Sequence, residues 1–321
     1  MHYTHLGNTG LTVSKICFGT MSFGGDADEP TSEKLFHKCR DAGVNFFDTA
    51  NVYSKGRSEE ILGKLAKPHR DDLVLTTKVW GQIAEGPNNR GLSRRHIMMQ
   101  IDNSLRRLQT DRVEIYFCHH YDPKTPVDET LRAMDDLVKQ GKILYPAVSN
   151  WTAWQIALAL GRAAALNVTP FHVLQPMYSL AKRTAEVEIL PLAANCNLGV
   201  IPYSPLGGGL LTGKYNKPDP EKGRLFTNKN YTVRYGDFTH NPIAQKLADY
   251  AAKINVSAVT LAVAWVKSHP AVTAPIIGAR NLEQLEPSLA AGGYEMSARQ
   301  RAEISALTPP PPIATDRDEE R

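Results

Sequence analysis

Eight short apolar runs punctuate the chain, at residues 15–20, 44–49, 73–79, 113–119, 143–149, 171–176, 199–204 and 273–278. Each has the length of a buried parallel strand bounded by turn chemistry. Between them apolar residues recur at helical spacing over 31–42, 57–66, 93–109, 127–140, 152–165, 184–196 and 257–268, with 281–291 after the last run. Strand and helix in alternation is the sequence form of a parallel sheet, and eight such units close as a (β/α)8 TIM barrel. Thr31 or Ser32, Ser93, and Asp128 or Thr130 stand where N-caps belong.

Three segments depart from this repeat. The opening HYTHLGNTGLTVS reads as an N-terminal β-hairpin turning at Asn8-Thr9-Gly10, placed to plug one end of the barrel. Residues 207–238, rich in Gly, Lys and Pro, exceed a normal connection and are either a functional loop or a disordered one. Helical patterns at 241–254 and 296–306 are extra C-terminal helices outside the barrel. The expected organisation is therefore one domain over 1–308 and a mobile charged tail over 309–321.

Three of the runs end beside chemistry. Asp48 and Tyr53 follow VNFF, Lys78 closes LVLTT, and His119 follows VEIYFC. If these strands share a barrel, an acid, a phenol, an ammonium and an imidazole meet at one rim, as a proton-delivery device. Taken singly, each has a plainer reading. A Tyr five residues after an Asp is unremarkable, Lys78 suits a rim salt bridge, and His119 suits a strand end capped by Asp122. Adjacent strand residues face opposite ways, so only one of His119 and His120 is expected in the site.

Charge and cysteines narrow the setting. Lys plus Arg exceeds Asp plus Glu by 37 − 33 = 4. No dense basic run is interleaved with aromatics, so no nucleic-acid partner is expected, whereas an anionic small molecule is accommodated. Four scattered cysteines without CxxC pairs fit a reducing cytoplasm. No signal peptide opens the chain and no apolar stretch nears the roughly 20 residues that span a bilayer, so no membrane partner is expected. A homo-oligomer is left open. Gly208 to Lys214 nearly spells a P-loop, but Tyr215 replaces the Ser or Thr that would hold magnesium. GxSxG and HExxH are absent.

Separated blocks, in order, carry a resemblance: GNTGLTVSKICFGTM, DTANVYSKGRSEEILG, TTKV, the run ending at His119, ETLRAMDDLVKQGKI, AVSNW, QPMYSL, YSPLGGGLLTGKY and IIGARNLEQL. Together they resemble the aldo-keto reductase family over nearly the whole chain. The resemblance implies a TIM barrel that binds extended NADPH or NADP+ across its C-terminal rim and reduces a small carbonyl substrate. It assigns Tyr53 as general acid, Lys78 and Asp48 as its support, and His119 as the group orienting the substrate oxygen. The chemistry agrees, since no side chain supplies hydride. A free phenol has a pKa of about 10, and lowering it by two units takes about 2.7 kcal/mol, for which the Lys78 ammonium is the expected source.

The same resemblance implies the cofactor contacts. Gly19, Thr20 and Met21 end the first run and Asp48 the second. Ser149, Asn150 and Gln175 suit a carboxamide, although strand-end capping explains Ser149 equally well, and Tyr203 suits stacking on a nicotinamide. Ser204, Pro205, Leu206, Gly207, Gly208, Leu210 and Lys214 match the pyrophosphate segment, with Arg224 helping to close it. Gly278, Arg280 and Gln284 match the adenosine end, where a guanidinium suits a 2′-phosphate. Pro287 and Ser288 stand where the family has Glu and Asn, which puts the adenine anchor in doubt. Met21, Phe23, Trp80, Tyr121 and Trp151 follow strands at the same rim and are expected to line an apolar substrate pocket, or else to pack the rim loops. Arg234 is a candidate to meet an anionic substrate, with its direction unset. The chain also resembles potassium-channel β subunits, which share the barrel and use a bound cofactor in regulation.

Overall fold

A computed structural model describes residues 1–216, 223–236, 242–315, 317 and 319. The eight apolar runs form eight parallel strands: β3 (Cys17–Gly19), β4 (Phe46–Asp48), β5 (Val74–Val79), β6 (Val113–Cys118), β7 (Ile143–Ser149), β8 (Val173–Gln175), β9 (Gly199–Val200) and β10 (Ile276–Ile277). Each pairs with the next in the order β10-β3-β4-β5-β6-β7-β8-β9. The seam between the last and first is closed by backbone bonds, Thr273 N to Val200 O at 2.9 Å and Ile276 N to Pro202 O at 2.8 Å. A (β/α)8 barrel results.

The barrel interior is filled by Phe46, Ile115, Phe117, Val173 and Ile201, all fully buried. Its N-terminal mouth is stoppered by the expected hairpin, β1 (Tyr3–His5) paired antiparallel with β2 (Thr12–Ser14). Leu6 and Val13 enter the interior cluster from it. The plug sits tight at Gly7, where φ is +55° and a Cβ would lie 2.1 Å from Gly199 N. Only glycine permits that backbone conformation and that approach at no cost.

Helices α1 (Glu29–Asp41), α2 (Arg57–Ala66), α3 (Arg94–Leu108), α4 (Val127–Lys139), α5 (Ala153–Leu166) and α6 (Ile189–Asn195) lie between strands in the expected alternation. Short α7 (Arg224–Thr227) and α8 (Lys229–Tyr235) form part of the long segment after β9. They precede α9 (Ile243–Lys253) and α10 (Ala258–Lys267), with α11 (Leu282–Ala290) and α12 (Ala298–Ser305) last. Ser93 caps α3 as expected, accepting from His96 N at 3.3 Å. Two caps differ. Asp28 caps α1, accepting from Thr31 N at 2.9 Å, because Pro30 is compatible with a first turn and the helix begins earlier than Thr31. α4 starts after Pro126 without a side-chain cap; Asp128 falls in its first turn and Thr130 donates instead to Leu92 O at 3.2 Å.

The long segment is partly ordered: 207–212 and 214–216 form short 3-10 turns that lead to α7 and α8. The rest of that reading, 217–222 and 237–238, lies outside the described residues. So do 316, 318, 320 and 321 of the expected mobile tail. Among the described residues no single helix is long and apolar enough to cross a membrane. The apolar α10 instead buries Leu261 to Val266 in the core.

Candidate active site

Parallel register assembles the C-terminal rim. Gly19 pairs with Asp48 and Asp48 with Thr76, so the end of β4 lies beside the middle of β5. Lys78 is two residues beyond Thr76 and, by strand alternation, faces the same way. Its Nζ therefore meets Asp48 Oδ2 at 2.6 Å, and it also donates to Thr49 O at 2.6 Å and to Tyr53 OH at 3.4 Å. Asp48 is held from its other oxygen by Thr76 Oγ1 at 2.6 Å and Gln175 Nε2 at 3.0 Å. Lys78 is wholly buried and Asp48 3% exposed. Tyr53 precedes three consecutive left-handed residues, Ser54 (φ 48°), Lys55 (φ 56°) and Gly56 (φ 94°). Non-glycine residues in that region store backbone strain, and here they turn the chain sharply just after the phenol.

The electrostatics follow from burial. Burial alone would lower the Lys78 pKa, but the Asp48 charge and the bonds to Asp48 and Tyr53 overcome it, and the ammonium is held above its ordinary range. Burial pushes the Tyr53 phenol up; Lys78 pulls it down, Asp48 adds to the rise, and the balance is upward. The expected lowering by Lys78 is thus corrected: its pull is present, but loss of solvation outweighs it. Tyr53 is consequently protonated at neutral pH. Burial, aided by Lys78 and His120, pulls His119 well below the usual imidazole range, so it is neutral. The His119 ring meets the Tyr53 ring edge-on, with centroids 6.0 Å apart.

These groups open into a cleft of about 780 Å³ that runs from Tyr53 and His119 to Arg280 and Gln284. Asp48, Gly19, Met21, Ser149, Asn150, Gln175 and Tyr203 line its reaction end. Ser204, Pro205, Leu206, Gly208, Lys214 and Arg224 line its middle, and Gly278, Arg280 and Gln284 its far end. Tyr203 donates to Asn150 Oδ1 at 2.7 Å, and burial raises its phenol to about 12. Asn150 (φ 61°) and Ser204 (φ 59°) are held left-handed at the cleft wall. Gly208 and Gly209 are left-handed as well, and a Cβ on Gly208 would strike Tyr231 Cδ1 at 2.6 Å. Arg224 reaches Asp26 Oδ2 at 3.2 Å, so the segment after β9 is tied to the loop after β3. Arg280 has no ion-pair or side-chain hydrogen-bond partner among the described residues; its backbone N–H donates to Gln284 Oε1 at 3.3 Å.

Several expected lining residues lie elsewhere. Lys78 sits beneath the cleft, and Thr20 is buried, donating to Asp48 O at 3.1 Å and sharing a bond with Ser58 Oγ at 2.8 Å. Gly207 and Leu210 are buried behind the wall, Leu210 in the core. Of the expected substrate pocket only Met21 lines the cleft. Phe23 packs on Phe18 in the core, and Tyr121 and Trp151 pack on each other edge to face at 5.0 Å, the rim-packing alternative. Trp80 lies behind His120, 4.9 Å between rings.

His120 requires a correction. Both His119 and His120 line the cleft, their rings stacked at 5.1 Å. β6 ends at Cys118, so strand alternation no longer applies to them. Sequence reasoning also missed Ser22, Asn228, Asn230, Tyr231, Asn281 and Glu283, which line the cleft from loops and helix starts. No spacing in the chain marks them.

A buried carboxylate, ammonium and phenol in series, with a neutral imidazole alongside, can deliver a proton to an oxygen held at the cleft floor. Comparison with known proteins identifies the family. Residues 15–309 match the Aldo/keto reductase family. The chain is 40% identical over 304 residues, 91% of either chain, to the uncharacterized oxidoreductase YrpG of Bacillus subtilis (strain 168). It is 39% identical over 300 residues, again 91% of either chain, to probable voltage-gated potassium channel β subunits of Arabidopsis thaliana and of Oryza sativa subsp. japonica. With the match spanning the barrel and its rim, the chain belongs to the aldo/keto reductase family.

Proposed function

We propose that this protein reduces aldehydes or ketones to alcohols with NADPH, using Tyr53 as general acid. The observation that carries the reading is the Asp48–Lys78–Tyr53 series at the cleft floor, with Lys78 fully buried and its ammonium maintained by Asp48. A bound reduced nicotinamide would supply the hydride that no side chain can. The donor set fits such a dinucleotide: amides and hydroxyls at the reaction end, left-handed glycines in the middle, and at the far end the Arg280 guanidinium, unpaired among the described residues, where it suits a 2′-phosphate.

In the forward direction the carbonyl carbon gains a hydride while its oxygen takes the Tyr53 proton. Lys78 stabilises the phenolate left behind until solvent reprotonates it. His119, neutral, donates to the substrate oxygen and fixes its direction. With its pKa raised, Tyr53 holds the acid form at neutral pH, and the Lys78 ammonium offsets part of the weaker acidity by stabilising the phenolate as it forms. Four free cysteines, three of them buried, support a reducing setting for this activity.

Steady loss of reduced-nicotinamide absorbance across a carbonyl panel tests the reading. Tyr53→Phe keeps the ring and removes the proton, so turnover should fall about 10²–10⁴-fold with cofactor affinity retained. Near-normal kcat in that variant would remove Tyr53 from the role. The relatives named as probable potassium channel subunits support a second reading, a cofactor-binding regulatory subunit. Bound cofactor without carbonyl turnover would favour it.

A further inference from the structure

Among the described residues, the charges lining the cleft do not balance. Lys78 is matched by Asp48, and Arg224, farther along, by Asp26. Arg234, on α8, lines the same cleft as Tyr53, His119 and His120, yet it pairs with no carboxylate among the described residues. Its guanidinium lies over the Tyr231 ring, 5.1 Å from the centroid, while Arg224 lies over the same ring at 5.3 Å. Tyr231 is itself buried against the glycine turn at Gly208. Arg234 is thus held by a fixed aromatic surface and is half-buried. Arg234 shares the cleft with Tyr53, His119 and His120, and its charge acts on both His120 and Tyr203.

His120 lines the same cleft, its ring stacked on His119 at 5.1 Å and tilted against Trp80 at 4.9 Å. Burial, with Arg234 adding to it, lowers the His120 pKa, so the ring is neutral and has one N–H to give. One fixed cation and one neutral donor beside the proposed proton donor form a receptor for a monoanion. A planar carboxylate matches a guanidinium fork with two parallel bonds. A phosphate dianion would leave one negative charge uncompensated here.

We propose that the preferred substrate is a carbonyl compound bearing a carboxylate, bound by Arg234 with His120 as second donor. The proposal rests on the reductase reading and narrows it. It takes the apolar pocket expected from Phe23, Tyr121 and Trp151, which lie outside the cleft, and replaces it with a charged one.

Kinetics on para-carboxybenzaldehyde and its methyl ester decide it, because the two share ring and aldehyde and differ in charge. With saturating NADPH, the wild-type protein should favour the acid in kcat/KM. Arg234→Leu should lose about ten- to hundredfold on the acid, mostly in KM, and leave the ester unchanged. Arg234→Lys should recover part of the loss, since charge returns without the fork. Equal kcat/KM for acid and ester in the wild type would overturn the proposal. So would a loss shared by both substrates together with weaker NADPH binding, which would assign Arg234 to the cofactor. If the wild type reduces neither aldehyde, the reductase reading fails separately, and binding of para-(hydroxymethyl)benzoate followed by tryptophan fluorescence settles the anion site. Weaker binding in Arg234→Leu would sustain it, and equal binding would refute it.

Discussion

Lys78→Met removes a buried charge from the centre of the site while keeping the length and apolar stem of the side chain. In the structure Lys78 is wholly buried, with bonds to Asp48, Thr49 O and Tyr53 at 2.6, 2.6 and 3.4 Å. The variant leaves the Asp48 carboxylate, 3% exposed, with only the neutral donors Thr76 and Gln175. Removing one partner of a buried pair costs about 3–5 kcal/mol, a large share of a typical stability of about 5–15 kcal/mol. With an m value of about 3 kcal/mol/M, the urea midpoint should drop by about 1–1.7 M. The double variant Asp48→Asn/Lys78→Met buries no unpaired charge and should regain about 1–3 kcal/mol over the single one. The pH dependence has a definite sign. The folded Lys78 pKa is raised above its unfolded value of about 10.4, so its contribution is complete below that pH and is lost as pH rises through the folded pKa. The wild type should therefore lose stability on that alkaline limb, and Lys78→Met should lack it. Equilibrium urea unfolding of cofactor-free protein, followed by circular dichroism across pH, measures all of this. A midpoint shift below about 0.3 M, or a double variant no more stable than Lys78→Met, would refute the coupling.

Two further outcomes follow from the same geometry. Since burial raises the Tyr53 pKa and depresses that of His119, kcat/KM for reduction should be flat through neutral pH. It should fall only in the alkaline range, above the free-phenol value of about 10, as Tyr53 loses its proton; a limb near pH 7 that survives in the wild type would contradict the assignment. Arg280→Ala should weaken NADPH about ten- to hundredfold and NADH little, by fluorescence titration, because only the former carries the 2′-phosphate. Equal losses would assign Arg280 to the fold.

Pro287 and Ser288 sharpen that last measurement. Pro287 lies inside α11 and lines the cleft, and its carbonyl is taken by Thr260 Oγ1 at 2.8 Å. Ser288 is 1% exposed, turned into the core. Neither presents the polar groups expected by resemblance at an adenine, which under the proposed function leaves Arg280 as the cationic handle at that end.

The eight apolar runs and the helical periods between them determined the barrel, because strand and helix differ in the spacing at which apolar residues recur and eight alternating units have one natural closure. The hairpin was equally legible, from a turn signal between two short runs. Asp48, Lys78 and Tyr53 were readable for the same reason: each lies at or just beyond a strand end, and parallel register brings strand ends together. What the chain alone did not decide is where regular structure stops. His120 enters the cleft because β6 ends at Cys118, one residue earlier than the apolar run suggests. Phe23, Tyr121 and Trp151 follow strands as well, yet neighbouring rings and core surface claim them before the cleft does. The direction of the Tyr53 shift was beyond the sequence too, since it is a contest between a cation three ångströms or so away and the loss of water around both. Arg234 lies far from these residues in sequence, and the packing of Tyr231 on the glycine turn brings its charge into the cleft. Side-chain direction and desolvation arise from contacts between distant segments, and no local pattern of residues encodes them.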